Sequence, residues 1–197
     1  MAKYVKTEQG YQEIEIVNSN KMDKNNPVGA GSFSMGRKAG TVIGSDSHTE
    51  GNITTASGNC SHAEGGYTIA SGGYSHAECY HTKASGVSSH AEGSSTAASG
   101  ESSHAEGYYT TASGMYSHVQ GKYNIADNNN LYAHIVGNGT SDTSRSNAHT
   151  LDWSGNAWFA GTVEGKSLIL PSSTANSTKK FKITVDDSGA LTATEIV

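Results

Sequence analysis

The sequence predicts an all-β protein built as a parallel β-roll solenoid, and three observations carry that prediction. Histidines recur at 48, 62, 76, 90, 104 and 118, a step of 14 residues each time. Between Ser45 and Gly121 there is no Leu, Phe or Trp, and the only larger aliphatic side chains are Ile53, Ile69, Val87, Met115 and Val119. Within each unit, small and large side chains alternate. Such a stretch cannot form a conventional core, because burial gives only about 25 cal/mol per Å² and Ala and Ser bury little area. A fixed short period orders the chain by stacking instead. The 24 glycines do not follow a Gly-X-Y pattern, which excludes collagen.

The elements follow in order. Residues 1–30 precede the repeats and form the first segment, in which "YQEIEIV" (11–17) alternates as a strand and "NSNKMDKNNP" (18–27) reads as a loop. Residues 31–137 form the roll. Its first coil carries Ser32-Phe33-Ser34-Met35-Gly36. The later coils read S-H-A-E-G-x-x-T-x-A-S-G-x-x, two sevens, each a five-residue run followed by two variable residues. Five residues make a short strand, and the Gly closing each run marks a turn where positive φ is expected. Strand alternation puts Ser, Ala and Gly of the first run on one face and His and Glu on the other. In the second run Thr, Ala and Gly share a face. Opposite them lie Ser and a variable residue (Thr55, Ile69, Lys83, Ala97, Thr111), which behaves as a solvent position. The small faces point inward, and coils stack at about 4.8 Å, giving a rod roughly 35 Å long.

The repeat decays over "KYNIADNNNLYAHIVGNG" (122–139), where His134 leaves the 14-residue spacing and a cap is expected. Residues 138–197 form a β-rich C-terminal region. "HTLDWSGNAWFAGTV" (149–163) reads as strand, Ser-Gly-Asn turn, strand, and "KKFKITVDDSGALTATEI" (179–196) as a hairpin around Asp-Asp-Ser-Gly. Pro27 and Pro171, the only prolines, stand outside the repeats, since Pro cannot donate to a central ladder. Cys60 and Cys79, the only cysteines, are offset by five residues on stacked coils, roughly 16 Å of path. A disulfide needs Cα atoms within about 7 Å, so two free thiols are expected.

The outward positions of the first run are Phe33, Met35, His48, Glu50, His62, Glu64, His76, Glu78, His90, Glu92, His104, Glu106 and His118. Their recurrence says that each coil meets the same surroundings there, and the apolar Phe33 and Met35 say that the face is covered. A neighbouring chain supplies such surroundings, so a hydrogen-bonded His–Glu ladder between chains is expected. Metal binding is the alternative reading, because imidazole suits Zn, Ni or Fe, but cations repeated every ~4.8 Å would repel one another.

"GSFSMG" (31–36) and the "SHAEG" units at 47–51 (there Ser-His-Thr-Glu-Gly), 61–65, 89–93 and 103–107 resemble the head repeat of trimeric autotransporter adhesins, the YadA-like head. The resemblance covers roughly residues 30 to 137. It implies a left-handed parallel β-roll and a homotrimer packed around an axis, here polar because His and Glu replace the usual Val and Ile. "NGTSDTSRSNAHTLDWSGNAWFAGTVEG" (138–165) resembles a segment of phage tail and fibre proteins, and residues 168–197 are similar to C-terminal segments of phage head and tail fibres.

These resemblances imply a structural, trimeric bacteriophage fibre or virion decoration protein, joined to other virion proteins through its N-terminal segment. One alternative is a receptor-binding or glycan-binding module contacting a host-surface glycan, with Tyr108, Tyr109, Trp153 and Trp158 as candidate contacts among Tyr-rich turns (Tyr67, Tyr74, Tyr80, Tyr116). A second is a trimeric assembly-chaperone fragment, because the matching segment often precedes a self-cleaving domain. The aromatics Trp153, Trp158 and Phe159 are expected to form the core of the trimeric C-terminal region. No cofactor, metal site or catalytic residue is expected. Strand alternation sets each repeat Ser opposite its His, and Asp142, Ser144, His149 and Asp152 are the weak remaining candidates. With a net charge of −5 and no basic run beyond Lys179-Lys180-Phe181-Lys182, a nucleic-acid partner is not expected. Met1-Ala2-Lys3-Tyr4 opens a polar segment and no window approaches 18 apolar residues, so the expectation is synthesis in the host cytoplasm without a signal peptide or membrane insertion.

Overall fold

The computed structural model describes residues 3–7, 10–14, 33–34, 38, 41–163, 168–171 and 177–196. The 18–27 loop, Met35 and residues 15–17 of the first expected strand lie outside them. The chain forms two compact units, Met1–Ala160 and Gly161–Val197. The described residues hold strands and turns and no helix, so none is present that is long and apolar enough to cross a membrane.

Strands β1 (Lys3–Thr7) and β2 (Gly10–Ile14) pair antiparallel. The roll follows. Its first runs are β3 (Phe33–Ser34), β4 (His48–Asn52), β6 (His62–Gly66), β8 (His76–Ala77), β10 (His90–Ala91), β12 (His104–Ala105) and β14 (His118–Lys122). The second runs are β5 (Thr55–Ala56), β7 (Ile69–Ala70), β9 (Lys83–Ala84), β11 (Ala97–Ala98) and β13 (Thr111–Ala112). Each set makes its own parallel sheet, the architecture of a parallel β-solenoid of about six turns. Histidine pairs with histidine from β4 through β14, and Phe33 pairs with His48, so the first coil joins in register despite its 15-residue step.

The interior is as thin as the sequence demands. Ala56, Ala63, Ala70, Ala77, Ala84, Ala91, Ala98, Ala105 and Ala112, one every seven residues, are completely buried. Each methyl contributes only about 0.8 kcal/mol, so backbone bonding between coils carries much of the order. The inward serines complete it locally: Ser61 Oγ donates to Gly58 O, Ser75 to Gly72 O and Ser89 to Gly86 O, each at 2.7 Å. The variable outward positions behave as expected at Ile69 and Lys83, which are exposed, whereas Thr55 is buried at 8%.

The turns differ from expectation. Glycines closing the first run do have positive φ, +114° at Gly51, +99° at Gly65 and +97° at Gly93, with Cys79 at +74° in the same place. Those closing the second run do not, and their reason is space: a Cβ on Gly58, Gly72 or Gly86 would lie 1.9–2.0 Å from the next coil's glycine carbonyl oxygen. Positive φ falls instead on the second variable residue, at Asp46, Ile53, Cys60, Tyr67, Tyr74 and every seventh position to Asn130. The left-handed conformation reverses the amide. Strand amides bond to the following coil, as His76 N–H does to Ser89 O at 2.9 Å. Turn amides bond to the preceding one, as Tyr74 N–H does to Asn59 O at 2.8 Å. Each coil is thus tied to both neighbours. Cys60 and Cys79 are free thiols, as expected.

His134, off the spacing in sequence, is on the column in structure. β15 (Tyr132–Asn138) pairs parallel with β14, setting His134 beside His118, Ile135 beside Val119 and Gly137 beside Gly121. Two extra residues in the preceding loop displaced a genuine first run. β16 (Asn147–Asp152) and β17 (Ala157–Phe159) then add antiparallel to the same sheet, confirming the strand–turn–strand reading. In the second unit β18 (Leu168–Pro171), β19 (Lys180–Val185) and β20 (Leu191–Ile196) form an antiparallel sheet, with the expected hairpin between the last two. Asp186 Oδ1 closes that turn by accepting from Ser188 N–H, Ser188 Oγ and Ala190 N–H.

Candidate functional site

Because inward and outward positions alternate, the outward His and Glu of every first run stand on one face of the roll. The rings of His48, His62, His76, His90, His104 and His118 stack at 4.7–4.9 Å between centroids, within 13° of parallel. Each glutamate reaches forward to the histidine of the next coil: Nε2 of His76, His90, His104 and His118 lies 3.3, 3.1, 3.1 and 3.2 Å from Glu64, Glu78, Glu92 and Glu106. The last three are hydrogen bonds, and His76–Glu64 has the distance but not the alignment. An ionised carboxylate only accepts, so Nε2 carries the proton. At the first coil the nearest pair is His48 and Glu50 of the same strand, at 3.6 Å. The chain therefore carries a His–Glu ladder of its own, with bonds that run from coil to coil within one chain. At Glu78, Glu92 and Glu106 the pairing sets a donor beside the carboxylate, in a column that would otherwise repel itself. Met35 lies outside the described residues, and Phe33 is placed by its backbone pairing alone.

Four groups, from His62, Glu64 and His76 to His104, Glu106 and His118, bring one ligand atom each within 4.8 Å. One ion held by two imidazoles at about 2.1 Å each needs nitrogens no more than about 4.2 Å apart, and about 3.4 Å apart in a tetrahedral site. Parallel rings stacked at 4.7–4.9 Å aim their nitrogens side by side. The geometry suits the hydrogen-bonded ladder better than shared coordination.

The column continues with its rings tilted: His134 lies 5.3 Å from His118 and 5.5 Å from His149, which packs on Phe159 at 4.6 Å. Burial, then the positive charges His118 and His149 would carry, push the His134 pKa below its ordinary 6.5, and Glu106 opposes this weakly. With the folded value depressed, the stability from keeping this ring neutral is present above the unfolded value and lost as pH falls through the folded one. An imidazole NMR titration is expected to give His134 a midpoint below 6.5, and His134→Gln should reduce the drop in melting temperature between about pH 7.5 and 5.5. A midpoint at or above the ordinary value would contradict this.

The aromatic candidates do not converge. Tyr108, Tyr109 and Tyr123 cluster on successive turns, with rings 4.7 to 5.4 Å apart. Arg145 lies over Tyr123 at 5.7 Å and donates to Tyr109 O and Asn124 O. These tyrosines brace the end of the roll. Trp153, Trp158 and Phe159 are 50–55% exposed, so they form no core within the chain. The four residues weighed for catalysis have separate tasks. Asp142 pairs with Arg145 at 2.6 Å, Ser144 closes a turn with Ser141, and His149 stands on the column. Asp152, held below the carboxylate range chiefly by the Asn156 side chain, shapes the 152–156 turn.

One feature the sequence reading missed is an open groove of about 910 Å³ at the end of the roll. It arises because the first sheet outruns the second. β13 is the last strand of the five-stranded sheet, while β15, β16 and β17 continue the other. Cross-strand neighbours share a face, and Ile135, Thr150 and Trp158 are such neighbours, at 0%, 5% and 55% exposure. The inner face thus opens toward solvent as its opposing sheet stops, and the 125–132 segment forms the other wall. No known protein-family model, curated protein or solved structure matches this chain.

Proposed function

We propose that the chain is the subunit of a trimeric, left-handed β-roll fibre, a structural bacteriophage virion fibre or decoration protein. The observation that supports this most is the ladder face. The His and Glu side chains from His76 to Glu106 are 28–35% exposed in the single chain, where the stacked neighbours of the column cover the rest and leave one regular outward face. They repeat without variation for several coils, while the variable outward face of the second runs takes Ile, Lys, Ala and Thr alike. A regular, half-covered face whose polar groups are already paired is suited to lie against copies of itself, and three copies would set three such columns around an axis. A shaft of this kind has its purpose in length and stiffness, which stacked coils supply. The phage assignment rests on the sequence resemblances of residues 138–197.

The test is molar mass by light scattering on the full chain, with three times the 20.5 kDa subunit as the expected result. A monomer at 20.5 kDa across the micromolar range would overturn the trimeric reading.

A further inference from the structure

We propose that the groove at the end of the roll binds a neutral oligosaccharide. Its volume of about 910 Å³ falls within the range of about 300–1,000 Å³ typical of ligand sites. Its lining joins the two things a sugar requires, a flat apolar surface and a fixed array of amides. Trp158 supplies the first: it projects from the inner face of β17 and is 55% exposed, with no strand of the five-stranded sheet opposite it among the described residues. Tyr132 lines the same groove. An exposed indole offers a C–H-bearing sugar face apolar area at little cost in side-chain entropy.

The amides come from asparagines at 128, 129, 138, 147 and 156, all lining the groove. Three of them are already ordered by hydrogen bonds. Asn147 Oδ1 accepts from Ile125 N–H, and Asn138 Oδ1 accepts from Ser146 Oγ, leaving the Asn138 NH₂ as donor. Asn156 commits its NH₂ to Asp152, leaving its oxygen as acceptor. Donor and acceptor in one site match hydroxyl groups, which do both.

Charge selects among sugars. Among the described residues the groove is lined by no Lys, Arg or His, and its two carboxylates are Asp127 and Asp152. Both are held by backbone amides, Asp127 by Asn129 and Tyr132 and Asp152 by Ser154 and Asn156. Two carboxyl groups and no basic side chain among the described lining residues disfavour sialylated, sulfated or phosphorylated glycans. The loop at 127–132 is itself fixed by Asp127, so the site is preorganised.

The proposal is independent of the trimeric fibre reading, since every lining residue belongs to one chain. The experiment applies the full chain to an array of neutral and anionic glycans, then measures the best neutral binder by calorimetry. Trp158→Ala is expected to weaken binding roughly tenfold or more. Asn128→Ala with Asn129→Ala, at exposed positions outside the sheet, should also weaken it without changing the melting temperature. Binding of anionic glycans only, no neutral binder, or affinity unchanged in both variants would overturn the proposal. A change in molar mass on Trp158→Ala would overturn it too, because a second copy of the chain would then be the groove's occupant.

Discussion

Gly86→Ala is expected to break the roll in two. An ideal Cβ at Gly86 would lie 1.9 Å from Gly100 O, 2.5 Å from its carbonyl carbon and 3.1 Å from Glu101 N. All three are backbone atoms of the next coil, so no rotamer relieves the clash. The coils must separate locally, and with them go the bonds from Ser85 and Gly86 N–H to Ala98 O, at 2.8 and 3.3 Å. Overpacking in side-chain cores costs about 1–3 kcal/mol. Here the obstacle is main chain in a sheet with a fixed spacing of about 4.8 Å, and about 3 kcal/mol or more is expected. Stability in a solenoid is a sum of nearest-neighbour interfaces, so urea unfolding should divide into two transitions. Gly161→Ala is the control, because a Cβ there meets nothing within 4 Å. A loss at Gly86 below about 1 kcal/mol, or a single unshifted transition, would show that the coil spacing is softer than argued.

That choice of glycine could not be made from the sequence. The period, the small interior, the His and Glu face and both C-terminal hairpins were legible, because alternation and period are direct consequences of strand geometry. The turns were not. The two glycines of each unit look alike in sequence, yet the first combines positive φ with close approach, its Cβ falling 2.1–2.3 Å from the next coil's carbonyl oxygen at Gly51, Gly65 and Gly93, whereas the second answers to close approach alone; Cys79 at +74° shows that one coil accommodates a side chain in the first place. The left-handed turn residues were invisible because Tyr, Ser, Cys, His and Ile occupy them from 53 to 123, and the usual signal, Asp or Asn, stands only at the two ends of the series, Asp46 and Asn130. Coil-to-coil amide bonds hold these residues in place, a tertiary cause that local propensity does not report. The intrachain direction of the Glu–His bonds was equally hidden, since it depends on which coil a side chain leans toward. The groove was missed for a related reason: it follows from one sheet ending before the other, which no local pattern encodes.

The residue that ends the second sheet supplies the other large prediction. Asn124 stands in the repeat where Thr54, Thr68, Thr82, Thr96 and Thr110 stand, and like them it is fully buried. In the preceding coil Ala97 N–H bonds to Thr110 O. One coil on, Thr111 N–H bonds instead to the Asn124 side-chain oxygen at 2.7 Å, and the Asn124 NH₂ donates to Thr111 O and Ile125 O, each at 3.0 Å. The side-chain amide thus stands in for the peptide of a missing strand and closes a sheet edge that would otherwise invite further pairing. Asn124→Ala leaves both backbone groups of Thr111 without their Asn124 partners in a half-buried place, at about 1 kcal/mol each, the low end of the range for an unsatisfied buried group. Hydrogen exchange should show the Thr111 amide losing protection first, followed by Ala97 as the edge frays. Asn124→Thr is the informative companion. It restores the repeat residue and keeps a buried polar side chain, but it has no amide. If capping is the role, the threonine variant should be nearly as unstable as alanine. If threonine were as stable as the parent, Asn124 would be only a filler of the repeat position. The end of the second sheet, and the groove beyond it, would then need another cause.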